Sequence, residues 1–272
     1  MSKLVIGTGL GFPEIPVLEQ MERLAKIGWE GVFTDWTFRG IKEYAKKARE
    51  LGLFYQSVHA PFDGAAVIWE EGEKGEETMQ TLIRCVEDCA YNGVTLVIMH
   101  AIIGFDKHTP TIVGMKRFGR VFDRARDLGV TVALENTEGA VYLNALMSVY
   151  MHEQNVGFCI DTGHELCYNG GRDMIGAYAN KLICTHLNDN MGVTGEEITW
   201  QDDAHLLPFD GVANWQGIAR RLQDAGYTGD LTFELTKAGK PERTCSDIYK
   251  DMDFEKFTTL AIKRAKKFQR ML

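Results

Sequence analysis

The feature that most constrains this chain is an alternation. Short runs rich in Val, Ile, Leu, Phe and Thr recur eight times, at 4–7, 31–35, 53–59, 95–100, 131–135, 157–161, 182–186 and 231–234. Most are near-continuously apolar, the pattern of strands covered on both faces. Longer helical stretches lie between them, among them 15–27, 41–51, 76–92, 113–128, 214–225 and 254–272. The stretch KEYAKKAREL places apolar residues at helical spacing with charges opposite. Gly28, Gly52, Gly93, Gly129 and Gly226 each stand where a helix should end before the next strand. Strict alternation implies parallel strands joined by right-handed crossovers. Eight such units in ~250 residues is the size of a (β/α)₈ barrel. The expected fold is therefore α/β, a single TIM-barrel domain over residues 1–272. An open doubly wound sheet is the rival. Asp35 ends the second run as that fold's ribose-binding acid would, but GTGLGF at 7–12 lacks the final glycine of the dinucleotide fingerprint.

Seven of the eight runs end in a residue that can bind metal or move protons: Asp35, His59, His100, Glu135, Asp161, His186 and Glu234. In a barrel these ends converge on one rim, where active sites form. Carboxylates are rarely buried unless paired or bound to metal. Four carboxylates and three imidazoles with no Lys or Arg among them repel each other unless a cation joins them. FCIDTGHE adds His164 three residues after Asp161. THLND sets Asp189 three after His186, and DDAHLLPFDG adds Asp203 and His205. These nitrogen and oxygen donors, without thiolate, suit Mn²⁺ or Zn²⁺, with Co²⁺ or Mg²⁺ as further choices.

Composition narrows the partners. Thirty Lys and Arg against 38 Asp and Glu give a formal charge of −8, which argues against sequence-independent duplex binding. An acidic chain can still carry a locally basic groove. The acidic run at 70–77 reads as a solvated loop and helix start. No stretch reads as a membrane span or export signal. The six cysteines sit mostly in apolar runs and read as reduced, buried thiols of a cytoplasmic protein.

ALENTEG, CIDTGH, THLND, HLLPFDG and FELT, in this order at strand ends, resemble the xylose isomerase-like TIM-barrel superfamily. The resemblance spans essentially the whole chain. That superfamily includes sugar and sugar-phosphate isomerases and epimerases, and AP endonucleases of the endonuclease IV type. For the ketose 3-epimerase branch it implies one metal held by Glu135, Asp161, His186 and Glu234. The two glutamates would then pass a proton across a sugar carbon through an enediolate, and His164 would contact substrate oxygens. Those epimerases carry an Arg six residues after the metal-binding His, where this chain has Gly192. The departure weakens the 3-epimerase assignment and leaves sugar isomerisation as a class. For the endonuclease branch the resemblance implies three zincs on His59, His100, Glu135, Asp161, His164, His186, Asp203, His205 and Glu234. The acidic loop EEGEKGEE would repel a DNA backbone, so the sugar enzyme is preferred. A barrel that binds sugar or metal without catalysis is a third reading.

Aromatics in or beside the predicted loops, Phe12, Trp36, Trp69 and Trp200, could form a wall for a sugar ring, whereas Trp215 reads as core. His59 and His100 are also candidate substrate contacts. Lys237 and Lys240, after the eighth run, are candidates for a substrate phosphate, as is Arg39 after the second. The expected partner is a small sugar or sugar phosphate.

Overall fold

The computed structural model describes residues 2–105 and 109–272. Eight parallel strands run in chain order: β1 (Leu4–Gly7), β2 (Gly31–Asp35), β3 (Phe54–His59), β4 (Leu96–His100), β5 (Thr131–Glu135), β6 (Val156–Asp161), β7 (Leu182–His186) and β8 (Leu231–Phe233). From β1 to β7 each strand pairs with the next, and β1 also pairs with β8, which leaves β7 and β8 facing each other at a seam with only an isolated bridge, Leu187 to Phe233. The ring is nearly closed. At the β7–β8 seam the Leu187 amide donates to the Thr232 carbonyl at 2.8 Å, and the Thr232 amide donates to the Thr185 hydroxyl at 3.0 Å. A side chain thus supplies one of the bonds that a ladder supplies elsewhere.

The helices between the strands are α1 (Val17–Ile27), α2 (Gly40–Leu51), α3 (Glu73–Tyr91), α4 (Ile112–Asp127), α5 (Ala140–Tyr150), the short α6 (Thr162–Cys167) and α7 (Met174–Ala177), α8 (Trp215–Asp224) and α9 (Phe254–Gln269). The five predicted glycine stops all have positive φ, from 67° to 104°. The acidic run lies partly inside α3, which starts at Glu73, earlier than expected. Glu73 and Glu76 sit in its first turn, where carboxylates favour the helix dipole. The last strand stops at Phe233, so Glu234 stands just past its end, freed from pairing with β1.

Most of the core lies between the strands and the helix shell. Inside the barrel a smaller cluster of Ile98, Ala133, Cys159 and Cys184 fills the lumen. Five cysteines are buried and all six are free thiols. Among the described residues, no helix is long and apolar enough to cross a membrane.

Candidate metal centre

The C-terminal strand ends gather the predicted residues around Glu135, whose side chain has no exposed surface. Its two oxygens face different neighbours. Oε2 lies 3.3 Å from His59 Nε2 and 3.4 Å from His100 Nε2. Oε1 lies 3.0 Å from His186 Nδ1 and 3.6 Å from His164 Nδ1. His186 Nδ1 is also 2.8 Å from Glu234 Oε2. Farther round the rim, His164 Nε2 is 3.4 Å from Asp203 Oδ1, and His205 Nε2 is 2.9 Å from Asp203 Oδ2. Four groups have ligand atoms close enough to share one ion: His59, His100 and Glu135; Glu135, Asp161, His186 and Glu234; His164, Asp203 and His205; and Cys159, Cys184 and His186. Glu135 belongs to two of them.

The imidazoles are turned for this task. A backbone carbonyl can only accept, so His59 Nδ1 must donate to Ala60 O (2.8 Å), His164 Nδ1 to Asn136 O (2.9 Å) and His205 Nδ1 to Glu234 O (3.2 Å). Each neutral ring is then left with an Nε2 lone pair aimed at carboxylates or at another histidine. Carbonyls that fix the ring in this way orient metal-binding histidines generally. His59 Nε2 and His100 Nε2 face each other at 3.2 Å. Lone pairs set against carboxylates need a cation or a proton between them, so the donor set fits a divalent ion.

Electrostatics agree. Burial alone would raise Glu135, but His186, His100 and His59 outweigh it and hold its carboxyl well below the usual range. Glu234 is likewise raised by burial, yet His186 and His205 bring it down to about 2. Burial dominates at Asp161 and lifts it to about 6 against the pull of His164 and His205. Burial would lower the histidines, but Asp161 and Asp203 hold His164 well above its ordinary value, Glu135 and Glu234 do so for His186, and Asp203 raises His205 to about 9. Protons and cations compete for these lone pairs.

Residues without an obvious chemical role do the positioning. Asn136 accepts from the Asp161 amide (2.7 Å) and donates to the Asp161 carbonyl (2.9 Å). Asn188 Nδ2 donates to Asp161 Oδ2 at 2.7 Å. A Cβ on Gly163 would lie 2.0 Å from Asn188 Oδ1, so glycine is what admits Asn188 there. Asp161 also caps α6 by accepting from the His164 amide. His205 is held in the left-handed region, φ 46°, with its carbonyl bound by the Thr236 amide.

A cavity of about 340 Å³ opens above the centre. His59, His100, His164, Asp203, His205 and Glu234 reach its surface, and Phe62, Ile103, Glu138, Tyr168, Trp200 and Lys240 complete the lining. Several candidates are not brought to it. Lys237 donates to the Met252 carbonyl at 2.9 Å and sits over the Phe12 ring. Trp36 Nε1 donates to Asp88, and Trp69 is buried with its Nε1 on the Ala101 carbonyl. Phe12 packs against Phe254 and Phe257. Arg39 lies over Phe38. Asp189 is fully buried and accepts from the Phe209 and Ala213 amides and from Trp215 Nε1, which makes it a loop anchor. Trp215 is core, as expected. The sequence reading missed Phe62, Ile103, Glu138 and Tyr168; all four follow strand ends or lie in the α6 segment, and that position was their only signal.

The sequence model of the xylose isomerase-like TIM barrel matches residues 8–250. The chain belongs to this family. Similar curated proteins are y4fM of Sinorhizobium fredii, 33% identical over 105 residues, and MJ1311 of Methanocaldococcus jannaschii, 20% identical over 197 residues. The matches cover 38% and 65% of this chain, and the chain spans only 31% and 63% of those relatives' lengths. Among solved structures, the IolI protein with a bound zinc atom is 17% identical with a TM-score of 0.76, covering 98% of this chain and 97% of that one. A D-psicose 3-epimerase from Clostridium cellulolyticum H10, solved with D-tagatose, is 17% identical with a TM-score of 0.71 and covers 99% of each chain.

Proposed function

We propose that this protein is a divalent-metal-dependent isomerase or epimerase of a small sugar or sugar phosphate. The observation that carries this reading is the Glu135, Asp161, His186 and Glu234 set beneath a cavity of small-molecule size. The solved relatives that act on sugars support it. A divalent ion held there, Mn²⁺ or Zn²⁺ by its donors, would polarise a carbonyl and a neighbouring hydroxyl. The chain supplies the rest. Glu234 reaches the cavity and, with its low pKa, stays ionised at neutral pH. It is placed to take the proton from the carbon beside the carbonyl. Glu135, buried beneath His59 and His100, is the second carboxylate of the pair. His164 and the other cavity imidazoles hold substrate oxygens, while Phe62, Ile103 and Tyr168 keep water from the carbanion.

One observation favours a second reading, phosphoester hydrolysis. Glu135 joins two ligand sets, and a third set stands beside them. Three ions would make the floor positive and suited to a phosphate. A single experiment separates the two. Metal-loaded protein is incubated in D₂O with ketoses and ketose phosphates, and with an abasic-site duplex. Deuterium at the carbon beside the carbonyl is the expected outcome. Cleavage of the duplex without exchange would overturn the sugar reading.

A further inference from the structure

Strands β6 and β7 carry two layers of ligand atoms. They pair Asp161 with His186 and, two residues earlier, Cys159 with Cys184. Side chains two apart point to the same face of a strand, so the sulfur pair lies under the upper pair, inside the barrel. There it packs with Ile98 and Ala133, and neither cysteine has exposed surface. The two sulfurs and a ring nitrogen of His186 all lie within 4.8 Å of one another. A zinc ion bonded at about 2.3 Å to sulfur and about 2.0 Å to nitrogen spans donors up to about 4.6 Å apart. Small side-chain shifts therefore close this set on one ion.

His186 links the two layers. Its Nδ1 lies 3.0 Å from Glu135 Oε1 and 2.8 Å from Glu234 Oε2. Those ionised oxygens only accept, so Nδ1 carries the hydrogen and the neutral ring keeps its lone pair on Nε2. His186 Nε2 is buried and has no hydrogen-bond partner among the described residues. A neutral imidazole owns one such lone pair. It serves an ion in the upper layer through Nδ1 or one in the lower layer through Nε2, and not both at once. Cys184 is already set as an electron-pair donor, since its sulfur accepts from Gln56 Nε2 at 3.2 Å. Outer contacts of this kind orient metal ligands.

The lumen also selects the ion. Sulfur donors favour soft ions such as Zn²⁺ or Cd²⁺ over Mn²⁺ or Mg²⁺. Two thiolates and a neutral imidazole balance a divalent charge, and a group without net charge rests in apolar surroundings at low cost. Cys85 and Cys89, on one face of α3, belong to no such three-donor group among the described residues.

We infer that Cys159, Cys184 and His186 form a second metal site, made of thiolates and beneath the tetrad, which takes a soft divalent ion and in doing so withdraws His186 from the upper site. Zinc or cadmium at the thiols is then an inhibitor of the Mn²⁺-loaded protein. On binding, the two thiols release their protons to solvent. The withdrawal rests on the place of His186 in the tetrad, whereas the thiol site itself stands without it.

The test titrates chelator-treated, fully reduced protein with Cd²⁺ and with Mn²⁺ separately. Cd²⁺ should raise a saturable ultraviolet band of thiolate-to-cadmium charge transfer, and Mn²⁺ should raise none. Cadmium NMR of the wild type, which needs no variant, should place an ion among sulfur donors. Cys159→Ala and Cys184→Ala should each weaken the binding that the band reports by about tenfold or more, while Cys89→Ala leaves it unchanged. Excess Mn²⁺ should push the titration of the band to about tenfold higher Cd²⁺. The site falls if folded, reduced protein gives no band at excess Cd²⁺, if cadmium NMR shows only oxygen and nitrogen donors, or if the band survives both substitutions. A band that Mn²⁺ does not shift, in protein shown by EPR to have bound Mn²⁺, would overturn the withdrawal of His186. Protein that gives the band but binds no Mn²⁺ would sink the tetrad and spare the thiol site.

Discussion

At the scale of single residues the site depends on which way lone pairs point. The types and positions of the ligands were legible because each follows an apolar run, so chain order alone brings Glu135, Asp161, His186 and Glu234 together. Their orientation was not legible. It is fixed by backbone carbonyls at Ala60, Asn136 and Glu234 and by the amides of Asn136 and Asn188, and no spacing rule announces such bonds. Glu135 and Glu234 should respond differently to neutralisation. Glu135→Gln removes a carboxylate shared by two ligand sets, so bound metal measured by elemental analysis should fall together with turnover. Glu234→Gln should lower turnover by about 10²–10⁴ while the protein keeps more of its metal. Equal metal loss in both variants would contradict the shared-ligand role. Asp202 gives a pH dependence outside the ligand sets. Burial would raise it, but the Thr194 hydroxyl, the Thr199 amide and Arg243 hold it below its ordinary 3.8. A depressed carboxylate contributes stability that is complete above pH 3.8 and is lost as pH falls through the lowered value. The turn carrying Trp200 should therefore loosen in acid below that point. Asp202→Asn should loosen it already at neutral pH, seen as faster amide exchange over 194–203.

At the scale of elements, strand positions were readable to within a residue, because a strand buried on both faces leaves a short, β-branched apolar run, and here glycine stops precede several such runs. The β6 unit was the exception. Its layer is built from two short helices, α6 and α7, too short to show a helical period, and Asp161 serves as both strand end and helix cap. The loop residues that line the cavity were equally hidden, since Phe62 and Tyr168 belong to no periodic pattern. The β7–β8 seam was invisible for a different reason: a Thr185 hydroxyl replaces a ladder bond, and threonine in a strand looks ordinary. This gives a prediction at the level of the sheet. Thr185→Val keeps the shape but leaves the buried Thr232 amide without its acceptor, which costs about 1–3 kcal/mol. Denaturant unfolding should show that loss, and the Thr232 amide should exchange faster than amides in the β4–β5 ladder. Unchanged protection at Thr232 would mean that the seam closes through Leu187 alone.

At the scale of the whole molecule, the formal charge of −8 and the crowded carboxylates describe one fact. Glu135, Asp161, Asp203 and Glu234 are drawn into a rim whose only described countercharges are imidazoles and Lys240, so the fold holds this charge at a cost that a divalent ion relieves. Binding to the native state alone stabilises it by RT ln(1 + [L]/Kd), about 4 kcal/mol when the ion is a thousandfold above its Kd. For a chain of this size that is a rise in Tm of roughly 10 °C. Mn²⁺ or Zn²⁺ added to chelator-treated protein should produce this shift, and EDTA should reverse it. The same carboxylates raise His164, His186 and His205, so an incoming ion must displace protons from them. Calorimetry in buffers of different ionisation enthalpy should then register proton release, and affinity should rise with pH. The number of ions decides how the barrel works. If His59→Ala and His100→Ala each remove one equivalent while the tetrad keeps its own, the floor is a cluster and phosphoester chemistry gains ground. If one equivalent binds and neither substitution changes the count, those histidines serve the substrate, and the barrel is a one-metal sugar enzyme.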